Sequence, residues 1–144
     1  MKRAILLMAL LAAAGCGSSS TASTSTLPAT SVGVFTTSDL TVGTGATAAS
    51  GSRVITTYAG WLYDTGKPNG KGNSFDPGPG PLTFTIGAGT LIRGFEQGVI
   101  GMKVGGQRRV IIPPDQAYGS STPDPTRIPA NATLVFEIAL TSVQ

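Results

Sequence analysis

Residues 88–104 read Ala88-Gly89-Thr90-Leu91-Ile92-Arg93-Gly94-Phe95-Glu96-Gln97-Gly98-Val99-Ile100-Gly101-Met102-Lys103-Val104. Leu91, Phe95 and Val99 recur at every fourth position, with Ile92 beside them, so one face of a short helix is apolar and can pack against something flat. Gly94 and Gly98 are also four apart. Thr90 reads as the N-cap and Gly101 as the stop, which predicts a helix of about ten residues. A helix of that length is not stable alone in water. It has to be held by a sheet, and it is the one helix candidate outside the extreme N-terminus.

Working outward, the flanking sequence reads as strands and turns. Val32–Phe35 and Leu40–Val42 predict two short edge strands separated by Thr36–Asp39, with turns at Gly43–Thr47 and Ser50–Ser52. Arg53–Tyr63 is the first long strand. It carries Val54, Tyr58 and Leu62 on one face and Ile55, Ala59 and Trp61 on the other, as suits a central strand. Asp64–Gly80 is rich in Gly and Pro and reads as irregular, broken only by Ser74-Phe75-Asp76; an aromatic ring and an acid in a loop point to function. Leu82–Ile86 alternates cleanly. Gln107–Ile112 places Val110 and Ile112 on the core face and ends at Pro113-Pro114, since proline donates no ladder bond. A second long loop, Asp115–Ala132, holds Tyr118 and Ile128. The last strand, Thr133–Thr141, sends Leu134, Phe136, Ile138 and Leu140 inward and Thr133, Glu137 and Thr141 outward. The expectation is an α+β fold, an antiparallel sheet of about five strands with one helix on its apolar face.

The first sixteen residues read as an export signal. Lys2 and Arg3 precede an apolar run from Ala4 to Ala14, and small residues lead into the single cysteine, Ala13-Ala14-Gly15-Cys16. The run is too short to span a bilayer. Its ending resembles the cleavage box of bacterial lipoproteins, with Ala13 where leucine is more usual. Cys16 is then expected to become the first mature residue and to carry acyl chains. Residues 17–31 are nearly all Ser, Thr, Gly and Ala, a composition that cannot offset its ordering entropy by burial, and are expected to form a flexible tether. Residues 32–144 suffice for one domain. The implied setting is the bacterial envelope, facing the periplasm. Gly17 lacks the acidic inner-membrane retention signal known in some bacteria, which favours the outer membrane.

Composition removes whole classes of chemistry. Two of the ten basic residues, Lys2 and Arg3, belong to the signal, and the eight that remain against seven acidic ones give the mature chain a formal charge of +1. No basic patch suggests nucleic acid, because Arg108 and Arg109, adjacent on a strand, point to opposite faces. With no histidine and one cysteine at the N-terminus, neither a Ser-His-Asp nor a Cys-His nucleophile can be assembled, nor an ordinary zinc site. Gly66–Lys71 has the flavour of a phosphate loop, but Gly72 stands where Ser or Thr is needed. What remains is a set of aromatic and apolar side chains with a few hydroxyls and one loop acid. Such a site binds an apolar group.

At this point the residues resemble a known family. Gly43-Thr44-Gly45, Val54–Leu62, Ser74-Phe75-Asp76, Leu91–Val99, Met102–Gly106, Ile112–Gly119 and Ile128–Phe136 occur in the order and spacing of the FKBP-type, tacrolimus-binding peptidyl-prolyl isomerases. The resemblance implies a twisted antiparallel half-barrel wrapped around one short helix. It implies a pocket with Phe95 as the floor under a proline ring, in place of the usual tryptophan. Tyr58, Phe75 and Phe136 would be its walls, Leu91 and Ile92 its edge at the helix start, and Ile128 its contribution from the second loop. The Ile92 N–H and the Tyr118 hydroxyl would bind substrate carbonyls, and Asp76 would stand beside Tyr58, so that Asp76 and Tyr118 are the expected catalytic residues.

Three departures stand out: Phe95 itself, a shortened Pro77–Pro81 segment that lacks the arginine often found near Asp76, and Thr57 and Ala59 around Tyr58. The implied function is rotation of X-Pro bonds in exported polypeptides without cofactor, metal or covalent step. The expected partners are proline-containing polypeptides and tacrolimus-like macrolides, with no nucleic acid, membrane contact through the lipid only, and a monomeric state. A binding or chaperone module of the same fold, with little catalysis, is the alternative, and a purely structural lipoprotein is a third.

Overall fold

The computed structural model describes residues 33–144 except Pro79. The signal, Cys16 and the tether lie outside the described residues. The described residues form six strands: β1 (Thr36–Thr41), β2 (Arg53–Tyr63), β3 (Lys71–Asp76), β4 (Leu82–Thr85), β5 (Gln107–Ile112) and β6 (Leu134–Val143). One helix, α1 (Arg93–Val99), lies between β4 and β5. All strand pairs are antiparallel, in the order β1-β5-β6-β2-β3. β6 takes one edge of β2 along nearly its whole length, so β4, opposite Arg53–Thr56, and β3, opposite Gly60–Tyr63, share the other.

The alternation read from sequence decides which faces meet. Val54, Val110, Ile112, Leu134, Phe136, Ile138 and Leu140 are buried together with Phe95 and Val99 of α1, which closes the core over the concave face of the sheet. The closeness of helix to sheet explains the two glycines. A Cβ at Gly94 would run into the Ile112 side chain, and one at Gly98 would come within 2.7 Å of Val110 Cγ2. Arg108 ties down the far end of α1: its guanidinium donates to the carbonyls of Gly98 and Ile100 at 3.0 and 2.9 Å, and to Asp39 on β1 at 2.6 Å. Arg109 turns the other way and joins Lys71 in donating to Glu137. On that convex face Val135 is fully buried, opposite Trp61 and Ile111 in register.

Four expectations are corrected. The helix has seven residues rather than about ten, and its N-cap position is Ile92, not Thr90. The reason is Glu96. Its buried carboxylate accepts the N–H groups of Gly87 at 2.9 Å and Leu91 at 3.2 Å, holding the preceding segment as a turn until Ile92. The two short edge strands are one, β1, which spans the expected separator because the Thr36–Asp39 backbone pairs with Arg108–Ile111. The segment read as irregular contains β3, whose partner is β2. Merging two expected strands and adding β3 leaves six strands among the described residues, in keeping with the expected sheet of about five.

Candidate active site

The residues singled out from sequence converge on one hollow in the concave face. Tyr58, Phe75, Asp76, Leu91, Ile92, Phe95, Tyr118 and Phe136 line a cavity of about 160 Å³, together with Leu82 and Thr90. Ile128 is placed in the core cluster and not on this wall. Leu82 and Thr90 escaped the sequence reading. In sequence Leu82 looks like any apolar residue of a half-buried strand, and Thr90 reads as a cap.

Each element supplies its part for a local reason. β2 and β6 pair through Gly60 and Phe136, and the bare Gly60 backbone leaves room for rings: a Cβ there would stand 2.7 Å from Phe75 and 3.0 Å from Phe136. The rings then meet edge to face. Phe95 lies 5.3 Å from both Tyr58 and Phe136, centroid to centroid, with planes at 79° and 87°, while Phe75 meets Phe136 at 5.5 Å. Phe84 backs Phe95 from below at 5.8 Å. T-shaped pairs of this kind add about 0.5–1.5 kcal/mol each beyond their area and fix ring orientation. The floor at Phe95 is therefore held on three sides.

Polar groups sit at the rim. The Tyr58 hydroxyl donates to Asp76 Oδ2 at 2.8 Å, and the other carboxylate oxygen accepts the Gly78 N–H at 3.1 Å. Burial, then the hydrogen bond to Asp76 and its charge, push the Tyr58 phenol up to about 12. Tyr118 is raised too, first by burial and then by the Asp76 charge. Both phenols stay protonated at neutral pH. Among the described residues the Tyr118 hydroxyl and the Ile92 N–H have no protein acceptor. Ile92 is free because the first N–H groups of a helix have no partner within it. The Glu96 carboxylate holds Leu91 just before it, so this donor is set in place by the helix it precedes.

The arrangement is an apolar, ring-walled hollow with two donors at its edge, and the chain matches a family model described as FKBP-type peptidyl-prolyl cis-trans isomerase over residues 45–141. The chain belongs to that family. It is 41% identical over 110 residues to FK506-binding protein 1 of Aspergillus oryzae, covering 72% of this chain and 93% of the relative. In several longer relatives the match spans only 20–27% of their length. Among solved structures, a peptidyl-prolyl cis-trans isomerase of Pseudomonas syringae superposes with a TM-score of 0.62 at 33% identity, over 76% of this chain and 75% of that one. AtFKBP13 does so with a TM-score of 0.63 at 32% identity, over 76% and 93%. Fold class and enzyme family are thus those implied by the sequence. In this isomerase domain Phe95, Tyr58, Phe75, Phe136, Asp76, Ile92 and Tyr118 line one hollow.

Proposed function

We propose that the chain catalyses cis–trans rotation about X-Pro bonds of exported polypeptides in the bacterial envelope, anchored through lipid on Cys16. The observation that carries the catalytic part is the aromatic hollow with two donors at its edge that have no partner among the described residues. An X-Pro bond turns over a barrier of about 20 kcal/mol because resonance gives C–N double-bond character. That resonance places negative charge on the carbonyl oxygen, which water stabilises. A proline ring seated on Phe95 draws the amide out of water and weakens the resonance form. Contacts to the walls favour the twisted amide over either planar one. The Ile92 N–H and the Tyr118 hydroxyl hold the flanking carbonyls, and Asp76 keeps Tyr58 in its rotamer. No bond is broken, so no nucleophile is required.

The division into a signal (1–16), a tether (17–31) and an isomerase domain (32–144) belongs to the same proposal, as do the outer-membrane setting and the monomeric state. It is supported by the Lys2-Arg3 start, the apolar run and the small residues before Cys16. Relatives carry FK506 in their names, and a macrolide of that class would occupy the prolyl hollow. The decisive experiment follows isomerisation of a short X-Pro peptide directly, with and without excess FK506. Acceleration that the macrolide abolishes supports the reading. A folded chain that binds the macrolide but accelerates nothing would be a binding module instead. For the anchor, a fatty-acid analogue should label the protein in cells, and label that persists in Cys16→Ser refutes lipidation there.

A further inference from the structure

The concave face continues past the prolyl hollow into a second one that no step of the rotation uses. Along β2, Tyr58, Gly60 and Leu62 share one face. Tyr58 stands in the prolyl wall, the Phe75 and Phe136 rings rest on Gly60 as a ridge, and Leu62 lies beyond in a groove of about 490 Å³. Gly72 and Asn73 of β3 form one bank of the groove and Pro129–Thr133 the other. β3 therefore serves both sites, with Phe75 and Asp76 at the first and Gly72 and Asn73 at the second. The far bank is coupled to the prolyl rim as well: Asn131, in the left-handed region at φ 57°, donates its N–H to the carbonyl of Gly119, the residue after Tyr118, at 2.7 Å.

The groove's chemistry differs from that of the hollow. The side-chain amides of Asn73 and Asn131 make no protein hydrogen bond among the described residues. Among the described residues Asp64 is the only charged one on the groove wall. One of its oxygens accepts the Gly66 N–H at 2.9 Å, and the other is left free among the described residues. The nearby Lys71 does not neutralise it, being paired with Glu137 and stacked over Trp61 on the convex face. From Tyr58 to Leu62 is four residues of strand, about 13 Å, the length of about four residues of an extended chain.

We propose that this groove holds the client polypeptide about four residues from the isomerising proline and favours Lys or Arg there, with Asp64 setting the preference. The proposal rests on the prolyl-isomerase reading of the hollow. The hollow of about 160 Å³ holds little beyond the proline itself, so the groove is felt only by clients whose chain extends about four residues from it.

The test uses the whole chain and peptides that share one X-Pro core, with Lys or Glu placed four residues before or four residues after the proline. On one of the two sides the Lys peptide should show a KM about two- to fivefold below that of the Glu peptide, as befits one exposed ion pair, at equal kcat. The difference should vanish in 1 M salt, where the screening length is about 3 Å, and in Asp64→Asn. Equal KM values for Lys and Glu on both sides, or a preference undiminished in Asp64→Asn, would overturn the groove while leaving turnover of the core peptide intact. If the core peptide itself is not turned over, the isomerase reading fails. The same Lys and Glu peptides, labelled and followed by fluorescence anisotropy, then decide the groove by their Kd values.

Discussion

At the scale of single residues, the site depends on a hydrogen bond whose donor is hard to ionise. Tyr58 titrates near 12 in the fold and an unfolded tyrosine near 10. Because the folded value is the higher one, the stabilisation is fully present below pH 10 and is lost as pH rises through about 12. Tyr58→Phe should cost about 1 kcal/mol at neutral pH, measured by chemical denaturation. The gap to the unaltered protein should be constant up to pH 10 and narrow above it. Tyr118→Phe leaves every protein hydrogen bond of the described residues in place. It should lower kcat/KM about fivefold, the worth of one neutral hydrogen bond, without moving the denaturation midpoint. Thr56 offers the opposite case. It is fully buried, and its hydroxyl oxygen has no partner among the described residues. Valine has the same shape without the polar atom, so Thr56→Val should stabilise the domain by about 1 kcal/mol.

At the scale of elements, the glycine pair shows what a sequence can state and what it leaves out. The sequence shows only that Gly94 and Gly98 lie four apart, and the structure supplies the reason, the close approach of Ile112 and Val110 of β5. Gly94→Ala should lift α1 from β5 and cost about 1–3 kcal/mol through overpacking, read as a lower denaturation midpoint. A raised KM should accompany it, because the Ile92 donor moves with the helix. The strong alternation of β6 and the apolar stripe of α1 were legible because they are local patterns that burial enforces. β3 was not legible. Lys71, Gly72 and Asn73 are poor strand formers, and only pairing with Trp61 and Tyr63 makes them a strand. Glu96 was hidden for a related reason, since a helix glutamate normally faces water, and nothing local shows that this one caps the turn before it. The site itself was readable through the family resemblance rather than through spacing, because Tyr58, Asp76, Ile92 and Tyr118 come from four separate segments.

At the scale of the whole molecule, the strand order makes the two ends of the domain unequal. β1 comes first, lies at the edge and is exposed along its length. β6 comes last and lies between β5 and β2, with Leu134, Phe136, Ile138 and Leu140 all buried. Its final residues also close the sheet: Val143 pairs with Val54, and Gln144 and Arg53 exchange backbone hydrogen bonds at 2.7 and 3.2 Å. Removing residues through Thr41 should cost the domain its edge and the Asp39–Arg108 contact but leave the core and the prolyl hollow assembled. Removing Leu140–Gln144 takes out one fully buried leucine, worth about 2–5 kcal/mol on truncation alone. It also strips the start of β2 of its β6 partner and leaves β4 alone to hold it, a loss that is a large share of the roughly 5–15 kcal/mol that holds a typical domain together. The second deletion should abolish cooperative thermal unfolding followed by circular dichroism, while the first should lower the midpoint and keep the transition. The reverse outcome would mean that the edge strand, and not the closing strand, holds the half-barrel shut.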